Sequence, residues 1–222
     1  MEMTNFISQW GGAIGQGFIE TTEMTLISFA ISLVLGIVLA ILLVLTRKGG
    51  QAENIAINTA LNALINIIRS IPFIILLFFI LPFTQAIMST TIGVKGVIVP
   101  LVVACAPYVA RLLESAMLEV DHGIIEAYQA MGISTTKIIW FVVVREARSS
   151  IILGLTIALI SLIGETAMAG MVGAGGLGDL AYQFGYVRFQ PDVMYAVILI
   201  LIVIVQIIQS AGTLLARHLK KN

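Results

Sequence analysis

An all-α bundle crossing a lipid bilayer about five times is the fold class this sequence predicts, and three features carry that reading. Of 222 residues, 59% are hydrophobic and only 11% are charged, against roughly 45–50% and about 25% in soluble domains. With so little polar surface, water cannot be the solvent for most of the chain; mean hydropathy is +1.05. The second feature is a set of long apolar stretches. The third is a lopsided placement of Lys and Arg around them.

Crossing ~30 Å of hydrocarbon takes about 20 apolar residues as helix, because lipid offers no partner to unpaired backbone groups. Met24 to Thr46, Ser70 to Val94 and Val193 to Ala216 contain no charge at all. Val97 to Met117 carries Arg111 and Glu114 near its end, and Ile151 to Val172 includes Glu165. These give five expected spans. The residues before Glu23 include Glu2 and Glu20 and no Lys or Arg, so the first span reads as retained and not as a cleaved signal.

Basic residues near span ends favour the cytoplasm. Placing the C-terminus inside gathers Arg47, Lys48, Lys137, Arg145, Arg148, Arg217, Lys220 and Lys221 there and leaves Lys95 and Arg188 outside. The expected topology is N-terminus out, C-terminus in. The lone Cys105 excludes an internal disulfide, and His122 and His218 lie too far apart to suggest a metal site. No cofactor and no nucleic-acid partner are expected; the bilayer is.

Between the first two spans, Asn54, Asn58, Asn62 and Asn66 repeat every four residues, which places them on one helical face. This stripe fits an interfacial helix or an early start to the second span, or a face turned towards a polar pathway. Pro72, Pro82, Pro100 and Pro107 predict kinks in the second and third spans. Arg111 and Glu114, three residues apart, are expected to pair.

The inward connection from Leu118 to Ser150 is expected to form a helix, a turn and a second helix at the membrane surface. Asp121 can cap the first helix and Gly132 suits the left-handed position that ends it. Ser134 can cap the second, whose apolar residues are Ile138, Ile139, Phe141, Val142 and Val143. Such a unit is either an amphipathic interfacial connection or a handle for a cytosolic partner.

Glu165 lies seventeen residues beyond Arg148, or about 25 Å deeper along a helix. A carboxylate at that depth is costly and marks either function or a hydrogen-bonded packing site. Gly173-Ala-Gly-Gly-Leu-Gly178 matches G-x-G-x-x-G, but it follows a span and not a strand, so it reads as a tightly packed turn and not a nucleotide site. Glu165, Met168, Gly173, Gly175 and Gly176 are the candidates for gating or pathway lining, although methionines such as Met168 and Met171 are more often packing residues than substrate contacts.

Glu126-Ala127-Tyr128 followed by Gly132, with Val142 and Val144 ten and twelve residues further on, resembles the EAA motif of ABC-importer permeases. Tyr128 replaces the usual third Ala and Arg145 replaces the usual Pro. Arg69-Ser-Ile-Pro-Phe-Ile-Ile-Leu-Leu77, Ala167 to Gly178 and Tyr182-Gln-Phe-Gly-Tyr186 are similar to permeases of methionine-uptake ABC transporters. The resemblance implies one transmembrane permease domain over residues 1–222, in a bacterial cytoplasmic (inner) membrane, with a coupling loop at about 118–150. It implies that Glu126, Ala127, Tyr128, Met131 and Gly132 couple to the ATPase. It also implies a homodimer with two cytosolic ATPase subunits and an extracytoplasmic methionine-binding lipoprotein, moving methionine or close analogues by alternating access.

No G-x-x-x-x-G-K-[ST] sequence and no hydrolytic constellation occur, so the chain is not expected to be an enzyme. Other readings are a permease for another small solute, an ion-coupled secondary transporter, and a non-transporting assembly or sensor subunit. Five spans do not divide into the inverted repeats common in secondary transporters.

Overall fold

The computed structural model describes residues 2–220, so Lys221, an expected inward-side cation, lies outside them. Every regular element among the described residues is helical. Helix α1 (Glu2–Thr46) starts well before the expected Met24, since no proline interrupts the first 46 residues. Helices α2 (Ile55–Ser70), α3 (Phe73–Phe79) and α4 (Leu81–Met88) follow, then α5 (Gly93–Leu118). The loop elements are α6 (His122–Ala130), α7 (Thr135–Lys137), a π-helical turn (Ile138–Val143) and α8 (Val144–Glu146). Helix α9 (Arg148–Gly170), α10 (Gly176–Leu180), a second π-helical stretch (Ala181–Val187) and α11 (Pro191–Lys220) complete the chain.

Four helices among the described residues are long and apolar enough to cross a membrane, and a fifth span results if α2 and α3 count as one broken helix. The expected second span is therefore revised in its bounds. Ser70–Val94 is not one helix but breaks at Pro72 and again at Ile80, so neither seven-residue α3 nor eight-residue α4 can span alone. Proline explains both breaks. Pro72 lacks the N–H that would continue α2 and disfavours helical geometry at Ile71. Pro82 occupies the first turn of α4, where its missing N–H costs nothing. Pro100 and Pro107, by contrast, lie within the continuous α5.

The chain divides into two compact units. The first comprises residues up to Ile31, Ile71–Cys105 and Leu159–Ile207. Its core is Leu177, Leu180, Val193 and Val197, flanked by Phe6, Trp10 and Phe184. The Trp10 ring meets Phe184 edge-on at 4.8 Å between centroids, and the Arg188 guanidinium covers Phe184 at 4.4 Å. An aromatic held between an indole and a cation gains from both the quadrupole and the buried area.

The second unit comprises Ser32–Ser70, Ala106–Ala158 and the residues from Ile208 onward. Leu43, Ile65 and Ala110 form its buried centre, with Leu39 and Leu61 against them. Small residues bring its helices close: a Cβ at Gly36 would strike Val109, and one at Gly212 would strike Thr156. Close backbone approach is how helices associate in lipid, where no hydrophobic force drives them together. Large apolar side chains remain exposed along α1 (Leu26, Ile31, Val34, Val38) and α11 (Leu199, Ile202, Val203). Those faces suit hydrocarbon.

Candidate functional site

The loop between α5 and α9 folds as the expected helix–turn–helix. The Asp121 carboxylate accepts from the Gly123 N–H at 2.7 Å and so caps α6. The helix ends in a Schellman turn, in which Ile133 N–H donates to the Tyr128 carbonyl and Gly132 N–H to that of Gln129. Gly132 carries φ +74°, and nothing lies within 4 Å of where its Cβ would be. Glycine is required there by backbone conformation and not by crowding.

The second helix departs from expectation in two respects. Ser134 occupies the cap position with extended backbone, but its side chain makes no capping hydrogen bond. The π-helical turn sets its own register: i→i+5 bonding brings Ile138 and Val143 to one side, and these with Ile139 are buried. Phe141, expected on the apolar face, is instead 73% exposed.

On α6 itself, Ile125 and Tyr128 are half-buried while Glu126, Ala127, Gln129 and Met131 face outward. Met131 is 63% exposed. Thus four of the coupling candidates, Glu126, Ala127, Met131 and Gly132, share an exposed surface, and the fifth, Tyr128, helps to anchor it.

The asparagine stripe resolves into an interhelical ladder within the second unit. Asn54 caps α2 through Ile57 N–H at 3.1 Å. Asn58 Nδ2 donates to the Leu43 carbonyl at 2.9 Å and to Thr46 Oγ1 at 3.1 Å on α1. Asn62 Nδ2 donates back to Asn58, and the carbonyl oxygens of Asn62 and Asn66 accept from Arg111 Nη2 at 2.6 and 3.0 Å. Arg111 Nη1 closes the chain on Glu114 at 2.7 Å, so the expected pair forms. Its reach to α2 was not legible: the spacing within one helix says nothing about which helix lies opposite.

Three gating candidates gather in the turn between α9 and α10. Gly173, Gly175 and Gly176 all have φ between +83° and +88°, and the Gly173 carbonyl accepts from Gly93 N–H at 3.0 Å. The turn is fastened to α1 by two residues that the sequence reading did not single out. Glu20 Oε2 accepts from Gly176 N–H at 2.7 Å, and Thr21 Oγ1 accepts from Leu177 N–H at 2.9 Å. Together they satisfy the free N–H groups that open α10. A Cβ on Gly175 or Gly176 would collide with these same side chains, which explains the packed-turn reading. No local pattern links partners 156 residues apart. Met168 lies on α9 with its side chain exposed, and the half-buried Glu165 has Oε2 sealed without a hydrogen-bond partner among the described residues.

A polytopic helical bundle with a capped, solvent-exposed loop helix defines the class: a multi-pass membrane protein. Residues 50–221 match the family described as binding-protein-dependent transport system inner membrane component, and the chain belongs to it. The probable D-methionine transport system permease protein MetI of Vibrio cholerae is 43% identical over 218 residues, covering 96% of this chain and 97% of that protein. The methionine import system permease protein MetP of Bacillus subtilis is 44% identical over 177 residues, covering 80% of each. A solved structure described as an inward-facing conformation of the MetNI methionine ABC transporter superposes with a TM-score of 0.93 at 41% identity, covering 95% of this chain and 98% of that one.

The fastening of the glycine turn makes a local prediction. A hydrogen bond to a charged group contributes about 1.5–3 kcal/mol, so Glu20→Ala is expected to speed amide exchange at Gly176 by roughly 10- to 100-fold. Hydrogen exchange read by mass spectrometry checks this, with peptides from α11 as the unchanged reference. Equal protection in both proteins would show that Glu20 does not hold the turn.

Proposed function

We propose that this chain is the membrane-spanning permease subunit of an ATP-driven importer of methionine, in either enantiomer, or close analogues. It works as a homodimer with two cytosolic ATPase subunits and an extracytoplasmic methionine-binding lipoprotein. The observation that carries this reading is the near full-length likeness to relatives named as D-methionine permeases, joined to the exposed Glu126–Gly132 surface. ATP hydrolysis belongs to the partner, since the chain has no phosphate-binding loop sequence. Residues 1–222 act as one permease domain, whose loop at about 118–150 receives the ATPase stroke.

Coupling ATP hydrolysis to transport needs an element with two arrangements that ligands bias differently. Helix α6 is suited to transmit such a bias: it is capped at both ends, so force applied to Met131 or Glu126 moves the helix instead of unwinding it. The glycine turn fastened by Glu20 and Thr21, with Glu165 and Met168 on α9, is assigned to gating or to the pathway wall.

The topology is N-terminus out and C-terminus in, supported by the excess of Lys and Arg on one set of connections. A membrane-impermeant maleimide is expected to label Lys95→Cys in intact cells and Lys220→Cys only after permeabilisation, with buried Cys105 silent in both. The reverse pattern would invert the topology.

The substrate is tested by uptake of radiolabelled methionine into proteoliposomes holding the full transporter. Uptake should require ATP and be competed by methionine in preference to other amino acids; preferential competition by another solute would reassign the substrate.

Replacing the coupling residues should separate docking from insertion. In Gly132→Ala the left-handed backbone costs roughly 1–2 kcal/mol, enough to reduce substrate-stimulated ATP hydrolysis up to about tenfold. Glu126→Ala should lower it similarly while the permease still inserts. Unchanged uptake together with full ATPase recruitment in both variants would remove α6 from the coupling path.

A further inference from the structure

Within the second unit, α6, the π-helical turn, α8, the start of α9 and the end of α11 surround a cavity of about 890 Å³. Its wall carries Arg145, Arg148, Arg217 and Lys220 against a single carboxylate, Glu146. None of these four cations takes part in a salt bridge or hydrogen bond among the described residues, where the ion pair is Arg111–Glu114. The serine and threonine hydroxyls in the wall are already committed: Ser149 to the Ala216 carbonyl, Ser150 to Glu119, Thr213 to the Gln209 carbonyl. Beside the Tyr128 phenol, what the cavity offers a ligand is positive charge.

The same wall is apolar elsewhere. Phe141 and Leu153 line it with exposed side chains, and Ile124, Val142 and Leu219 of α11 add to the same wall. A ligand matching both surfaces has an anionic head and hydrocarbon attached to it. A free anion would satisfy the cations and leave the Phe141 and Leu153 surface in water. A neutral lipid would cover that surface and leave the cations unmatched.

We propose that this cavity binds the headgroup of an anionic phospholipid, with Arg145, Arg148, Arg217 and Lys220 around the phosphate and the acyl chains over Phe141, Leu153 and Leu219. A basic pocket at the end of membrane helices is the setting in which such headgroups are held. The site also accounts for Arg145, the residue that stands where the coupling motif's usual proline would be. The lipid would tie the loop to the last turn of α11 by a shared counterion, independently of which solute is carried.

The test is native mass spectrometry of the full-length chain in detergent with an equimolar mixture of phosphatidylglycerol and phosphatidylcholine. Phosphatidylglycerol adducts are expected to exceed phosphatidylcholine adducts about tenfold, from the attraction of several basic side chains. The variant R145Q/R217Q/K220Q should bring the ratio near one. R217Q/K220Q, which alters only the exposed end of α11, should give a partial loss and serves if the triple variant misfolds. The charge-matched R47Q/K48Q/K137Q, outside the cavity, should leave the ratio unchanged. Equal adducts of both lipids on the native chain, or equal losses in cavity and control variants, would overturn the proposal. Displacement of phosphatidylglycerol by millimolar inorganic phosphate at fixed ionic strength would overturn it as well, assigning the cations to a free anion.

Discussion

Hydrocarbon offers no hydrogen-bond partner, so each polar group carried into the bilayer must find one inside the protein. Helices meet that demand for the backbone, and the side chains meet it by linking helices to each other. Asn58, Asn62, Asn66 and Arg111 form one continuous chain ending on Glu114, joining α1, α2 and α5. Thr25, Thr46 and Thr156 return their hydroxyls to carbonyls four residues back. Even the free N–H groups at the start of α10 are met, by Glu20 and Thr21. These polar residues are therefore fasteners first, and their removal leaves partners stranded where water cannot replace them. The hydroxyls of Ser28, Ser32 and Thr84 and Glu165 Oε2 are exceptions, buried with no partner among the described residues.

Much of the fold was legible because the same constraint writes itself into the sequence. Charge-free runs marked α1 and α11, apolar runs with one or two charges marked α5 and α9, and Asp121 and Gly132 marked both ends of α6 through capping chemistry. The broken second span was only half legible. Pro72 and Pro82 announced bends, but hydropathy averaged over Ser70–Val94 does not distinguish one helix from two short ones. Register inside the loop was lost at Ile138–Val143, because a π-helical turn shifts every following side chain and no residue type signals it.

The site followed the same division. The exposed Glu126–Gly132 surface proposed for coupling rests on contacts close in sequence, so motif and capping rules reach it. The glycine turn was recognised as tightly packed, yet its fasteners lie on α1, far away in the chain. Arg111 was matched to Glu114, three residues on, and not to Asn62 and Asn66 across the helix interface. Long-range pairing depends on which helix packs against which, and a single amphipathic pattern does not carry that information.

The stiffness of the loop is built locally, while Ala127, Gln129 and Met131 stay exposed. Asp121 and the Schellman turn hold α6, Ile138, Ile139 and Val143 are buried beneath the loop, and Met131 stands uncovered. The claim that this uncovered surface meets the ATPase is tested most directly by a photo-crosslinking residue at Met131 in the reconstituted transporter. The account predicts one dominant crosslink, to the ATPase subunit, whose yield changes when ATP is bound. Crosslinking to lipid or to a second copy of the permease alone, unaffected by ATP, would contradict it.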